Sequence, residues 1–94
     1  MPVVLVHEGV TQEQYEESVR KLTGKERMES PADWPVPGLL AHIPEQGEKG
    51  FRVVDVWESQ EAVDAFAAKL MPILEEIGVK AKPDVYPAHT YVSA

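Results

Sequence analysis

Cysteine is absent from the sequence. That removes disulfides, thiolate catalysis and cysteine-ligated zinc or iron–sulfur centres from the chemistry available to the chain. Positive charge is scarce: 9 Lys and Arg stand against 16 Asp and Glu, a net charge of −7. Such a surface repels the phosphates of nucleic acid and the headgroups of an anionic membrane, so neither is expected as a partner. Long apolar runs are missing as well. The opening MPVVLVHEG has four apolar residues after Pro2 and then His7-Glu8-Gly9, too short for a signal sequence or a spanning helix, and a cytoplasmic protein is expected. The three histidines His7, His42 and His89 form no H-x-H or H-E-x-x-H spacing, so no metal site is expected. No glycine-rich phosphate loop follows the first apolar run, where Gly9 stands alone, and no serine sits in a nucleophile-elbow context.

What is present is the patterning of one small domain over residues 1–94. A chain of this length buries only roughly 60–65% of the surface its unfolded form exposes, so a partner subunit would help it. The organising stretch is FRVVDVWESQEAVDAF, from Phe51 to Phe66. Alternation puts Phe51, Val53, Asp55 and Trp57 on one pleat face and Arg52, Val54 and Val56 on the other. Ser59 then caps a helix whose apolar stripe is Val63, Phe66, Leu70, Leu74 and Ile77. Pro72 lies inside that helix and predicts a kink or break near Leu70.

Upstream, Val3–Val6 reads as a central strand. Thr11 to Gln14 reads as a capping box opening a helix with Tyr15, Val19 and Leu22 on one face, and Gly24 ends it. Residues 23–37 hold three prolines and form a long loop, in which Trp34 either anchors the loop to the core or walls a pocket. Gly38–Ile43 and the strand beginning at Phe51 make a hairpin through a polar turn. Val85–Val92 is the last strand, and Pro87 assigns it to a sheet edge or a bulge.

The predicted order, β-α-β-β-α-β, is the ferredoxin-like α+β plan: a four-stranded antiparallel sheet, strand order 4-1-3-2, with two helices on one face. The first three strands are apolar on both faces. Two helices cover one face only, so the other is expected to pair with a second copy in a homodimer.

This pattern resembles the dimeric α+β barrel superfamily, and within it the small antibiotic-biosynthesis-monooxygenase-like domains. Their third strand runs through a Trp-Glu-Ser-x-Glu-Ala segment into the second helix, as Trp57-Glu58-Ser59-Gln60-Glu61-Ala62 does here. Phe66 stands in the part of the helix where many members carry a histidine, and residues 59–77 lack the histidine with which heme-degrading members hold iron. The resemblance implies a dimeric barrel and a small enzyme that needs no cofactor, a monooxygenase or isomerase acting on an aromatic or polyketide-like small molecule. The alternative is a non-catalytic dimer that binds a small ligand or serves as an accessory subunit.

On the enzyme reading, His42 or Asp55 is the candidate base, and Arg52 or Tyr86 holds the resulting oxyanion. Trp34, Trp57, Tyr91 and His7 are the candidate substrate-binding residues. Asp55 in an apolar pleat row has to be paired or driven to its neutral form, and a purely structural role would meet that demand too. Tyr15 reads as packing. The enzyme reading requires at least two polar groups around a common void, whereas a mere ligand-binding dimer does not.

Overall fold

The computed structural model describes residues 2–47, 50–79 and 83–90. It contains β1 (Val3–His7), α1 (Gln12–Thr23), a short 3-10 turn (Pro31–Asp33), β2 (Leu39–Gly47), β3 (Gly50–Trp57), α2 (Gln60–Glu76) and β4 (Asp84–Pro87). The strands form one antiparallel sheet in the order β2-β3-β1-β4. This is the ferredoxin-like α+β architecture the element pattern predicts.

Both helix starts follow from the expected caps. Thr11 Oγ1 accepts from the Gln14 amide while Gln14 Oε1 accepts from the Thr11 amide, each at 3.0 Å. Ser59 Oγ accepts from the Ala62 amide at 3.1 Å. The break predicted in α2 does not occur, and the helix runs continuously through Pro72. Pro72 and Ala68, the residue whose carbonyl loses its donor, are both exposed, so water can satisfy that carbonyl and the helix survives.

Val3, Leu5 and Trp57 face the helices and are buried with Val19 of α1 and Val63, Phe66, Leu70 and Leu74 of α2, and Val53 on the same strand face as Trp57 is buried too. Trp57 is fully buried and stacks on Phe66 with ring centroids 4.8 Å apart. The 24–38 loop is folded back by Asp33, which accepts from the Glu29 and Ser30 amides at 2.9 and 3.1 Å and from Lys25 Nζ at 2.7 Å. Those bonds, the one from Lys25 first, hold the Asp33 carboxyl down at about 2. The next residue, Trp34, is thereby delivered into the core, where it meets Phe66 at 5.5 Å.

The hairpin register carries one irregularity that matters for the site. Leu39 pairs with Trp57, but the next partners are Ala41 with Val56 and His42 with Asp55, so Leu40 is an extra residue in β2. A strand reverses the facing of its side chains with each residue. Without the insertion His42 would lie opposite Val54 on the outer face. With it, His42 faces the helices and Leu40 is pushed outward. Gly38, just before β2, has φ +106°, and a Cβ there would come within 2.8 Å of the Ala62 Cβ, so a glycine is required where β2 approaches the start of α2.

The outer face carries Val4, Val6, Val54 and Val56, all only partly buried, together with Ile43 at 49% and Tyr86 at 52% exposure. It is an apolar face that neither helix covers.

Candidate functional site

Three side chains meet between the sheet and α1. Asp55, on the inner face of β3, places Oδ1 2.6 Å from Nδ1 of His42 on β2. The other ring nitrogen, Nε2, lies 2.6 Å from the hydroxyl of Tyr15 on α1. The His42 and Asp55 side chains are only 8% and 6% exposed. Of the two fates open to a carboxylate in an apolar row, Asp55 has the paired one.

The phenol decides how the protons are arranged. Burial, with the charge of Asp55 and then of Glu16 adding to it, pushes Tyr15 up to about 12, so at neutral pH it keeps its proton and can donate to Nε2 in the tautomer that leaves that nitrogen an acceptor. In that tautomer Nδ1–H donates to the Asp55 carboxylate. Aromatic packing fixes the rings. Tyr15 stacks on His42 with centroids 5.7 Å apart and meets Phe51 at 5.4 Å, and Trp34 lies 5.1 Å from His42 on its other flank.

Tyr15 and His42 form a wall between two spaces. On the inner side is a cavity of about 40 Å³ bounded by Leu5, His7, Val53, Phe66, Leu70 and Leu74 among others, with Trp34 and Asp55 also on its lining. On the outer side is a cleft of about 370 Å³ lined by Gln12, Glu16, Glu26, Arg27, Met28, Pro44 and Phe51. Tyr15 and His42 line both. Among the described residues, no three His, Asp or Glu side chains converge as metal ligands would, and no helix is long and apolar enough to cross a membrane.

The structure thus brings His42, Asp55, Trp34 and His7 of the sequence-predicted set to one cavity. Trp57 shares their face but is packed away against Phe66 and does not line either space. Arg52 and Tyr86 are separated from it. Arg52 lies on the opposite pleat face, bonded to Glu45 and 3.9 Å from Glu8, and Tyr86 pairs with Val4 in the outward-facing row. An oxyanion in either space is therefore beyond the reach of these two within one protomer, because the sheet stands between. Tyr91 lies outside the described residues. Tyr15, read from the sequence as packing, is the residue that reasoning missed. The available signal was a phenol on the same helical face as Val19 and Leu22, since a buried hydroxyl needs a partner.

No protein-family model and no curated protein sequence matches the chain. Solved structures do share its fold. A variant of SnoaB, a cofactor-independent oxygenase from Streptomyces nogalater, superposes with a TM-score of 0.60 at 12% identity, over 99% of this chain and 98% of that one. A monooxygenase from Streptomyces coelicolor, solved in complex with nanaomycin D, superposes with a TM-score of 0.50 at 21% identity, over 99% of this chain and 91% of that one. These structures share the chain's ferredoxin-like α+β fold, the fold the Trp57–Ala62 resemblance implies.

The proton held by Tyr15 makes stability fall at high pH. The folded state raises the phenol from 10.0 to about 12, so it binds that proton more tightly than the unfolded chain does. The stabilisation is complete below pH 10 and is lost as pH rises through about 12. Urea unfolding from pH 8 to 12 should show a decline that Tyr15→Phe flattens, and ultraviolet titration should show one late-ionising phenol that the same substitution removes.

Proposed function

We propose that the protein is a cofactor-independent oxygenase of aromatic or polyketide-like small molecules, working as a homodimer. The observation that carries this reading is the Tyr15–His42–Asp55 chain of hydrogen bonds at the wall of a ligand-sized cleft. The requirement of two or more polar groups around a common void is met, which favours an enzyme over a passive ligand-binding dimer. The cleft, at about 370 Å³, falls in the usual size range for small-molecule sites, and the inner cavity does not. The fold shared with a cofactor-independent oxygenase supports the same reaction class.

An acidic C–H or phenolic O–H seated in the cleft against Tyr15 would pass its proton to the phenol oxygen as the phenol passes its own to Nε2 of His42. The imidazolium that forms sits 2.6 Å from the Asp55 carboxylate, which stabilises it. Asp55 is thus a positioning residue, holding the tautomer that leaves Nε2 free to accept. A phenol held near 12 does not ionise by itself at neutral pH, so it conducts the proton and His42 stores it. The resulting substrate carbanion reduces dioxygen, and C–O bond formation gives a peroxide anion that recovers the proton. Loss of water then yields a ketone, so that a methylene compound and dioxygen give a carbonyl compound and water. Phe51 and Met28 supply apolar contact for a ring system, and Arg27 supplies a cation at the rim for a substrate carboxylate or phenolate.

Oxygen uptake with polycyclic phenols and diaryl methylene compounds tests the chemistry. His42→Gln should lower turnover about 10²–10⁴-fold, the usual size of a general-base contribution, with little change in substrate affinity. Turnover unaffected by both His42→Gln and Tyr15→Phe would refute the assignment. The dimer is supported by the apolar outer face, on which Val4, Val6, Ile43, Val54 and Val56 meet no helix. Sedimentation should give a dimer that Val54→Asp dissociates, because a charge buried face to face without a partner is strongly unfavourable.

A further inference from the structure

We infer that Met28 is a modification site on the wall of the cleft: the peroxide made there passes an oxygen atom to its thioether, and the sulfoxide that results slows the enzyme. The inference rests on the oxygenase reading and says what limits its turnover. With 3 methionines and no cysteine, thioethers are the only sulfur in the sequence, and peroxides oxidise them to sulfoxides. Met28 lines the cleft together with Tyr15, His42 and Phe51. Met71 of α2 is half-buried against the same core as Met28, yet it lines neither the cleft nor the inner cavity. The two thioethers therefore differ in the space they meet rather than in their degree of burial. Met1 lies outside the described residues.

The hydroperoxide formed in the cleft has two fates. In one, loss of water gives the ketone. In the other, a sulfur lone pair attacks the outer peroxide oxygen and the O–O bond breaks. That oxygen moves to sulfur, while the proton of the hydroperoxide stays with the departing alkoxide. The thioether gives up two electrons and becomes a sulfoxide, and the peroxide takes them and leaves as an alcohol, so no other oxidant or reductant is needed. A ring system filling a cleft of about 370 Å³ is in contact with most of its lining, which keeps the peroxide near the sulfur. The effect on the site follows from the place of Met28 in the chain. A sulfoxide is polar where the thioether is apolar, and Met28 packs against the core. The next two residues, Glu29 and Ser30, are those whose amides bond Asp33, and Trp34 beyond them flanks His42 at 5.1 Å. Oxidation thus loosens the loop that holds the imidazole and sets a polar group where the substrate ring lies.

Cumene hydroperoxide tests the site without any turnover, because it is aromatic and has no α-hydrogen through which to lose water. Peptide mapping of the full chain by mass spectrometry should find Met28 gaining one oxygen atom several-fold faster than Met71. Hydrogen peroxide, which an apolar cleft does not concentrate, should oxidise the two at similar rates. Turnover under isotopically heavy dioxygen should place the label on Met28, with one alcohol formed for each sulfoxide. Met28→Leu, close in volume, should lose activity several-fold more slowly over successive turnovers, each rate taken against its own starting value. Methionine sulfoxide reductase should restore the oxidised wild-type protein. A Met28-to-Met71 ratio no higher with cumene hydroperoxide than with hydrogen peroxide would overturn this inference and leave the oxygenase reading standing. A Met28 still unoxidised after inactivating turnover would do the same. No oxygen uptake on any substrate would instead sink the oxygenase reading, and the self-inactivation with it.

Discussion

A carboxylate in the middle of an apolar strand face is the constraint on which this structure turns. Asp55 is 4% exposed, and a buried charge without a partner destabilises a fold by about 3–5 kcal/mol, a large part of what a domain this size possesses. The fold answers it with His42, and the answer propagates. One extra residue in β2, Leu40, turns His42 from the outer to the inner face and brings it opposite Asp55. His42 then presents a second nitrogen to α1, and Tyr15 meets it. Trp34, positioned by the Asp33-bound turn, closes the other flank of the imidazole. A strand insertion, a helix and a loop are thus set around a single charge.

The same arrangement separates two kinds of space. Phenol and imidazole are flat and held in near contact, and they line both the inner cavity and the larger cleft. On the proposed reading, a ring wall that can move a proton along its own hydrogen bonds would let a substrate be deprotonated from outside while the base itself stays buried. Burial suppresses stray ionisation of the phenol.

Most of the fold was legible in the sequence because its signals are local. The Thr11 and Ser59 caps, the apolar stripes of both helices and the edge placement of the proline-bearing β4 all depend on neighbours within a few residues. The site was legible only in part. Alternation along β3 put Asp55 with Val53 and Trp57 and set Arg52 on the other face, and the structure keeps that division. The facing of His42 was not available from alternation, because the insertion at Leu40 shifts parity and leaves no compositional mark. Tyr15 was hidden for a different reason: on a helix with Val19 and Leu22, its ring reads as packing, and only the partner on β2, 27 residues away, gives the hydroxyl a role. Pro72 does not interrupt α2, since its effect depends on whether solvent reaches the carbonyl it orphans.

Taking a proton from Tyr15 requires His42 to be a neutral imidazole protonated on Nδ1, with Nε2 as the acceptor. Long-range proton–nitrogen correlation spectra of the histidine side chains at neutral pH test this directly. The expected result is a His42 ring with a protonated Nδ1, a slowly exchanging Nδ1–H far downfield, and an unprotonated Nε2. A His42 ring protonated on Nε2, or one exchanging freely between tautomers as an exposed histidine does, would contradict it.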